Sequence, residues 1–162
     1  MRHTQVIKAA MTLVVLSACQ SPSPELTTSD IAAVKANYPD WAAATANKDT
    51  AAIAKLVTAD AWISVPNQAA IVGREATVVW TKARPADLRQ TWGVDEVGGY
   101  QDMAYSRATA TESYSLPDGK QATEHAVCVG IHRRQADGSW QFSRSICHSI
   151  DPLPLAPTAK KP

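Results

Sequence analysis

No apolar run in this chain approaches the roughly 20 residues that a helix needs to cross a bilayer. The stretch from Ala9 to Leu16 is short and broken by Thr12. An excess of charge of one sign is missing too. Sixteen lysines and arginines against fifteen aspartates and glutamates give a net +1, which leaves no electrostatic footprint for nucleic acid. The doublets Arg133-Arg134 and Lys160-Lys161 are too short to change that. The four histidines and three cysteines follow no zinc-ligand spacing, so neither a metal nor another cofactor is expected. There is no Walker loop and no nucleophile elbow. Gly98-Gly99 stands alone and reads as turn geometry. Internal repeats and low-complexity segments are absent as well.

What is present begins with an address. Arg2, His3 and Lys8 precede the apolar stretch, whose length suits the core of a secretory signal of about 7–15 residues. The quartet Leu16-Ser17-Ala18-Cys19 resembles the lipobox of bacterial lipoproteins. That resemblance implies cleavage after Ala18 and acylation of Cys19, so the expected partner is a membrane and the expected location the cell envelope. Each buried acyl methylene contributes ~0.8 kcal/mol, and more than one chain gives stable anchoring. Cleavage leaves 144 of the 162 residues and takes the charge from +1 to −1, because the removed part holds Arg2 and Lys8 and no acid. Residues 19–28 then read as a flexible tether, 29–152 as one domain and 153–162 as a disordered proline-rich tail.

Within the domain, Thr28, Ser29 or Asp30 can cap a helix with Ile31, Val34, Tyr38, Trp41 and Ala42 at helical spacing. Pro39 interrupts it. Asp49 can cap a second helix carrying Ile53, Leu56 and Val57. Ala61–Val65 and Ala69–Val72 read as short strands. Gly73 opens a third helix with Ala76, Val79, Trp80 and Ala83 on one face, ended before Pro85. Leu88–Val97, Met103–Ser115, Gln121–Gln135 and Ser139–Ile150 then read as strands. The last three are joined by LPDGK and QADGSW, both with Asp-Gly turn chemistry. Helices first and an antiparallel meander after make an α+β order, with three N-terminal helices covering one face of a curved sheet.

The segments DIAAVKANYPDWAAATANKDTAAIAKLVTADAWI, IVGREA, YQDMAYSRA and HRRQADGSWQFSRSICHSIDP resemble the SnoaL-like branch of the nuclear transport factor 2-like superfamily, over Ile31 to Pro152. The resemblance implies a cone-shaped α+β fold with a pocket between helices and sheet, often a homodimer. Its members include isomerases, cyclases and dehydratases as well as binding modules, so fold alone does not assign function. Superfamily enzymes place an acid in the cone as general base. Asp40, beside Trp41, is the candidate counterpart, although it matches no catalytic motif.

Register bears on the pocket. A four-residue loop Ala136–Ser139 would pair Gln135 with Trp140 and place Val127, Val129, Ile131, Trp140, Phe142 and Ile146 on one face. A three-residue loop with a bulge at Gly138 would split them. Burial of large side chains at about 1.5–3 kcal/mol each favours the first. Pairing Leu116 with Lys120 adds Tyr105, Arg107 and His125 to that face, and Arg144 and His148 lie on it too. With Trp41 these form an expected site for an apolar or anionic small molecule. Glu112 would oppose Glu124 on the other face, at a cost. The same register pairs Cys128 with Cys147, close enough for a disulfide; a bulge at Gly138 would part them. Two functions therefore stand at this stage: a non-catalytic lipid-anchored module that binds a small molecule or a protein partner, and an isomerase, dehydratase or cyclase using Asp40 or a histidine for proton transfer.

Overall fold

A computed structural model describes residues 25–152 of the chain. The signal segment with Cys19, the tether up to residue 24 and the proline-rich tail lie outside the described residues. Three helices, α1 (Thr28–Ala46), α2 (Thr50–Leu56) and α3 (Arg74–Ala83), pack on a six-stranded sheet. The strands are β1 (Val57–Ser64), β2 (Ile71–Val72), β3 (Arg89–Tyr100), β4 (Met103–Ser115), β5 (Gln121–Arg134) and β6 (Trp140–Ser149). Their order is β2-β1-β6-β5-β4-β3. All neighbours are antiparallel except β1 and β6, which run parallel, so the sheet is mixed where a purely antiparallel one was expected.

The ordered domain starts earlier than residue 29. Leu26 packs against Val34, Ala104 and Trp140, and Glu25 bridges Tyr100. Thr27 caps α1 in a reciprocal box with Asp30: the Asp30 amide donates to the Thr27 hydroxyl at 3.2 Å and the Thr27 amide to the Asp30 carboxylate at 3.0 Å. Such a box satisfies two amides that would otherwise lack partners, so this part of the tether is held. Helix α1 continues through Pro39 to Ala46. Asp49 caps α2 through the Ala52 amide. Gly73, at φ 92, opens α3. The buried face of α3 is Thr77 and Thr81, while Val79 is exposed. The two threonine hydroxyls donate to the carbonyls of Gly73 and Thr77, which removes the cost of burying them. Among the described residues no helix is long and apolar enough to cross a membrane.

The β5–β6 hairpin departs from the expected register and then returns to it. Its loop has three residues, Ala136–Gly138, closed by the Gln135 amide on the Ser139 carbonyl at 2.7 Å, with Gly138 at φ 84. Arg134 therefore faces Trp140 and His132 faces Phe142, but a bulge at Ser143 restores the other phase, so that Ile131 faces Arg144 and Cys128 faces Cys147. The two cysteines form a disulfide, because the second irregularity undoes the first. The LPDGK hairpin pairs Leu116 with Lys120 as expected. A further bulge at Asp95 interrupts β3. Bulges bend and twist the strands that carry them, which curls the sheet into a cone around α1.

Curvature decides which residues face inward. The concave face of β4 and β5 is built from small side chains, Ala104, Ser106, Ala108, Ala110, Cys128 and Gly130, all buried. They let α1 approach the sheet, and Tyr38, Trp41 and Phe142 fill the remaining space. Val129 and Ile146 lie on the convex side and are exposed. The six large side chains expected on one face are thus divided: Trp140 and Phe142 inside, Val127, Val129, Ile131 and Ile146 outside. A tightly curved sheet lined by helices has no room for all six.

Candidate functional site

The open end of the cone is a cavity of about 440 Å³, within the range of small-molecule sites. Tyr38 and Trp41 enter it from α1, Trp80 and Arg84 from α3 and its C-cap, and Trp92 from β3. Tyr38 lies 5.1 Å from Trp92 and 5.2 Å edge-on to Phe142 between ring centroids. Three of the five tryptophans therefore line the cavity, whereas Trp140 belongs to a core cluster at the closed end.

One wall is polar. Glu112 and Glu124 face each other across β4 and β5, as the pairing implied, yet they face the cavity. The repulsion is relieved locally. Arg84 forms an ion pair with Glu112 and lies over the Trp80 ring at 5.1 Å. Gln90 Nε2 donates to Glu112 at 2.5 Å, and the Tyr114 hydroxyl donates to Glu124 at 2.6 Å. That last bond holds the Tyr114 phenol above its ordinary pKa. At the rim, His125 Nδ1 and its backbone amide contact the Asp151 carboxylate at 2.7 and 2.8 Å. Those two bonds, the amide first, lower the Asp151 pKa. The disulfide forms part of the β5–β6 wall.

Among the described residues, four buried side-chain polar atoms have no protein partner: Thr45 Oγ1, Arg84 Nε, Gln90 Oε1 and Trp92 Nε1. The last three belong to residues that line the cavity. Leaving such an atom unpaired costs about 1–3 kcal/mol.

Behind the aromatic wall runs a buried polar chain. Tyr38 Oη contacts Ser106 Oγ at 2.6 Å, and Ser106 Oγ contacts His132 Nε2 at 2.8 Å. Asn37 Nδ2 donates to the Trp140 carbonyl at 2.9 Å and reaches His132 Nδ1 at 3.4 Å. With an amide donor on Nδ1, the imidazole proton sits on Nε2 and donates to Ser106. Burial pushes His132 down to about 4.

Of the residues expected at the site, Trp41 lines the cavity and His125 sits at its rim. Tyr105, Arg107, Arg144 and His148 keep the side of Val129 and Ile146, as the register implied, but that side is convex: the Ser143 bulge leaves only Trp140 and Phe142 of the expected set facing inward. Tyr105 and Arg107 contact Glu96 on the exposed convex face, the arginine at 3.5 Å. Arg144 binds the Asp60 carbonyl at 3.0 Å and its carboxylate at 3.3 Å; with Thr58 as the larger influence, it lowers the Asp60 pKa. His148 is exposed, paired across the strands with Val127. The two arginines therefore make no anion site in the cone. Asp40 is exposed in a recess between α1 and α2, away from the cavity. Among the described residues no group of three or more His, Cys, Asp or Glu side chains is placed to hold a metal. The sequence reading missed Arg84, Gln90, Trp92, Glu112, Tyr114 and His132. The run of small residues at alternate positions in β4, from Ala104 to Ala110, was the available signal for the inward face.

No protein-family model and no curated protein matches the chain. Solved structures do. A ketosteroid isomerase-like protein from Erwinia carotovora atroseptica superposes with a TM-score of 0.68 at 20% identity, over 78% of this chain and all of that one. A type 2 hexachlorocyclohexane dehydrochlorinase gives 0.69 at 16% identity, over 83% and 94% of the two chains. A nuclear transport factor 2-like protein with a cystatin-like fold from Novosphingobium aromaticivorans gives 0.65 at 16%, over 78% and 92%. The chain has the cystatin-like, nuclear transport factor 2-like fold.

Proposed function

We propose that this chain is an envelope lipoprotein of the SnoaL-like branch whose cone binds a small, mostly apolar molecule without transforming it. The observation that carries the binding reading is the cavity of about 440 Å³, walled by Tyr38, Trp41, Trp80 and Trp92. Its charged groups already have partners: Arg84 pairs with Glu112, His125 with Asp151, and Glu124 accepts from the Tyr114 hydroxyl. A general base must reach the substrate's proton, and Asp40, the acid expected to do so, lies elsewhere. The lipid anchor rests on the Leu16–Cys19 quartet alone.

Titration with N-phenyl-1-naphthylamine, a neutral fluorescent probe, tests the reading. Saturable 1:1 binding that is lost on filling the cavity by Ala126→Trp is the expected result. Binding that is unsaturable, or unchanged in the filled variant, counts against it.

A second reading is proton-transfer catalysis, and the His125–Asp151 pair at the rim favours it. A carboxylate on Nδ1 orients an imidazole so that Nε2 can take a proton. The ketosteroid isomerase-like and dehydrochlorinase folds of the structural neighbours are compatible with it. Turnover of any apolar substrate that His125→Gln abolishes, with binding retained, would select this reading over the first.

A further inference from the structure

We infer that the ligand of this cavity is an organic cation, an aromatic or alicyclic body with an ammonium-type head held at Glu124; this rests on the binding reading above and narrows it to a chemical class. The charges on the cavity wall do not balance. Glu112, Glu124 and Asp151 line it, and among the described residues Arg84 is the single lysine or arginine that does. Arg84 pairs with Glu112, and His125 meets Asp151. The partner of Glu124 is the neutral Tyr114 hydroxyl, which fixes the carboxylate in place and leaves its charge whole. Glu124 is exposed, so a ligand entering the open end of the cone can reach it.

Register places that charge relative to the rings. Glu124 faces Glu112, which faces Gln90 on β3. The next row on the same face is Ala126, Ala110 and Trp92, about 7 Å further into the cone, two residues along each strand. Alanine at two of its three positions leaves room below the carboxylates, and Trp92, Tyr38 and Trp41 wall that room. The cavity is therefore graded, with rings below and an unbalanced carboxylate one row nearer the mouth. An apolar cation fits this grading with its body against Trp92 and Tyr38 and its head beside Glu124. An anion would meet two carboxylates there, with the one guanidinium already engaged. A neutral molecule would bury the same rings and leave Glu124 without a counter-charge. The aromatic wall itself attracts cations, as it does where Arg84 lies over the Trp80 ring.

Calorimetric titration with 2-naphthylmethylamine, 2-naphthylmethanol and 2-naphthoate at pH 7 and low salt separates the classes, because the three share a ring and present a cation, a neutral group and an anion. The amine should bind at least about fivefold more tightly than the alcohol, and the carboxylate most weakly. Glu124→Gln keeps an acceptor for Tyr114 and removes the charge that opposes Glu112, so folding is preserved. It should cut the amine preference to about twofold or less. Glu75→Gln, in the exposed first turn of α3 and outside the cavity lining, changes the net charge equally and should leave the preference unchanged. Equal binding of amine and alcohol, tightest binding of the carboxylate, or a preference that survives Glu124→Gln or falls as far in Glu75→Gln overturns the cation assignment and leaves apolar binding standing. Absence of binding by all three overturns the binding reading together with it.

Discussion

His132 makes the stability of this domain depend on pH over a window that its burial defines. The side chain has no exposed surface, and burial holds its pKa at about 4 against an ordinary value of 6.5. In the unfolded chain the imidazole takes a proton as pH falls through about 6.5; in the folded chain it does not until about 4. Between those values the unfolded state binds more protons, so stability falls as pH falls, and below about 4 this group adds no further loss. A gap of that size corresponds to roughly 3 kcal/mol. Protonation of Nδ1 would set its N–H against the amide donor of Asn37, so no internal acceptor offsets the charge. Urea unfolding at pH 7, 5.5 and 4.5 measures the effect, with His132→Gln as the control, since glutamine keeps one donor and one acceptor but does not titrate. Wild type should lose about 2–3 kcal/mol more than the variant from pH 7 to 4.5. Exposed histidines and carboxylates titrate in both and cancel. Parallel pH profiles for the two proteins would refute the reasoning.

Three other outcomes follow from geometry. Replacing Cys128 and Cys147 together with alanine opens a cross-link between residues 19 apart, at a cost of roughly 3 kcal/mol, so calorimetry should record a melting point lower by about 10 °C; a change under about 2 °C would contradict it. Gly99 has φ +148, and a Cβ there would lie 2.2 Å from the Met103 carbonyl oxygen, so Gly99→Ala should cost about 1–3 kcal/mol, and an unchanged urea midpoint would show that the hairpin relaxes freely. Cys19→Ser should leave an uncleaved precursor while wild type partitions into detergent; an unmodified Cys19 in mature wild type would rule out the anchor.

The sequence held more of the fold than of the site, for physical reasons visible at particular residues. Asp49 and Gly73 mark helix starts through local hydrogen bonds or backbone freedom, the first cap is Thr27, one residue before the candidates Thr28, Ser29 and Asp30, and LPDGK marks its hairpin through a three-residue turn; such signals are contained within a few positions. Apart from the alternate small residues Ala104 to Ala110 of β4, the inward face is set by events that no short window carries. QADGSW has the same turn as LPDGK, but only tertiary curvature shows that Ser143 shifts phase seven residues from the start of the loop at Ala136. Counting large apolar side chains favoured the wrong face because it assumed a flat interior. The cystine pairing was anticipated correctly through a loop that was not, since two one-residue offsets cancel. Arg84 could not be placed from sequence at all: its partner Glu112 lies 28 residues on and meets it only when α3 folds over β4.

The Ser143 bulge also bears on how this sheet can change in length over evolution. Phe142 points inward and Arg144 outward, with Ser143 the unpaired extra residue between them. Excision of that single codon would join an inward residue directly to an outward one, which is the ordinary alternation of a strand. The cystine, the cavity wall and the convex arginine would all keep their sides, and what would change is the bend. A gap opened one or two codons further along, within the paired run before Cys147, would instead turn every later side chain over. Length variation among relatives is therefore expected to concentrate at this position, with the shape of the cone, rather than its lining, as the trait that varies.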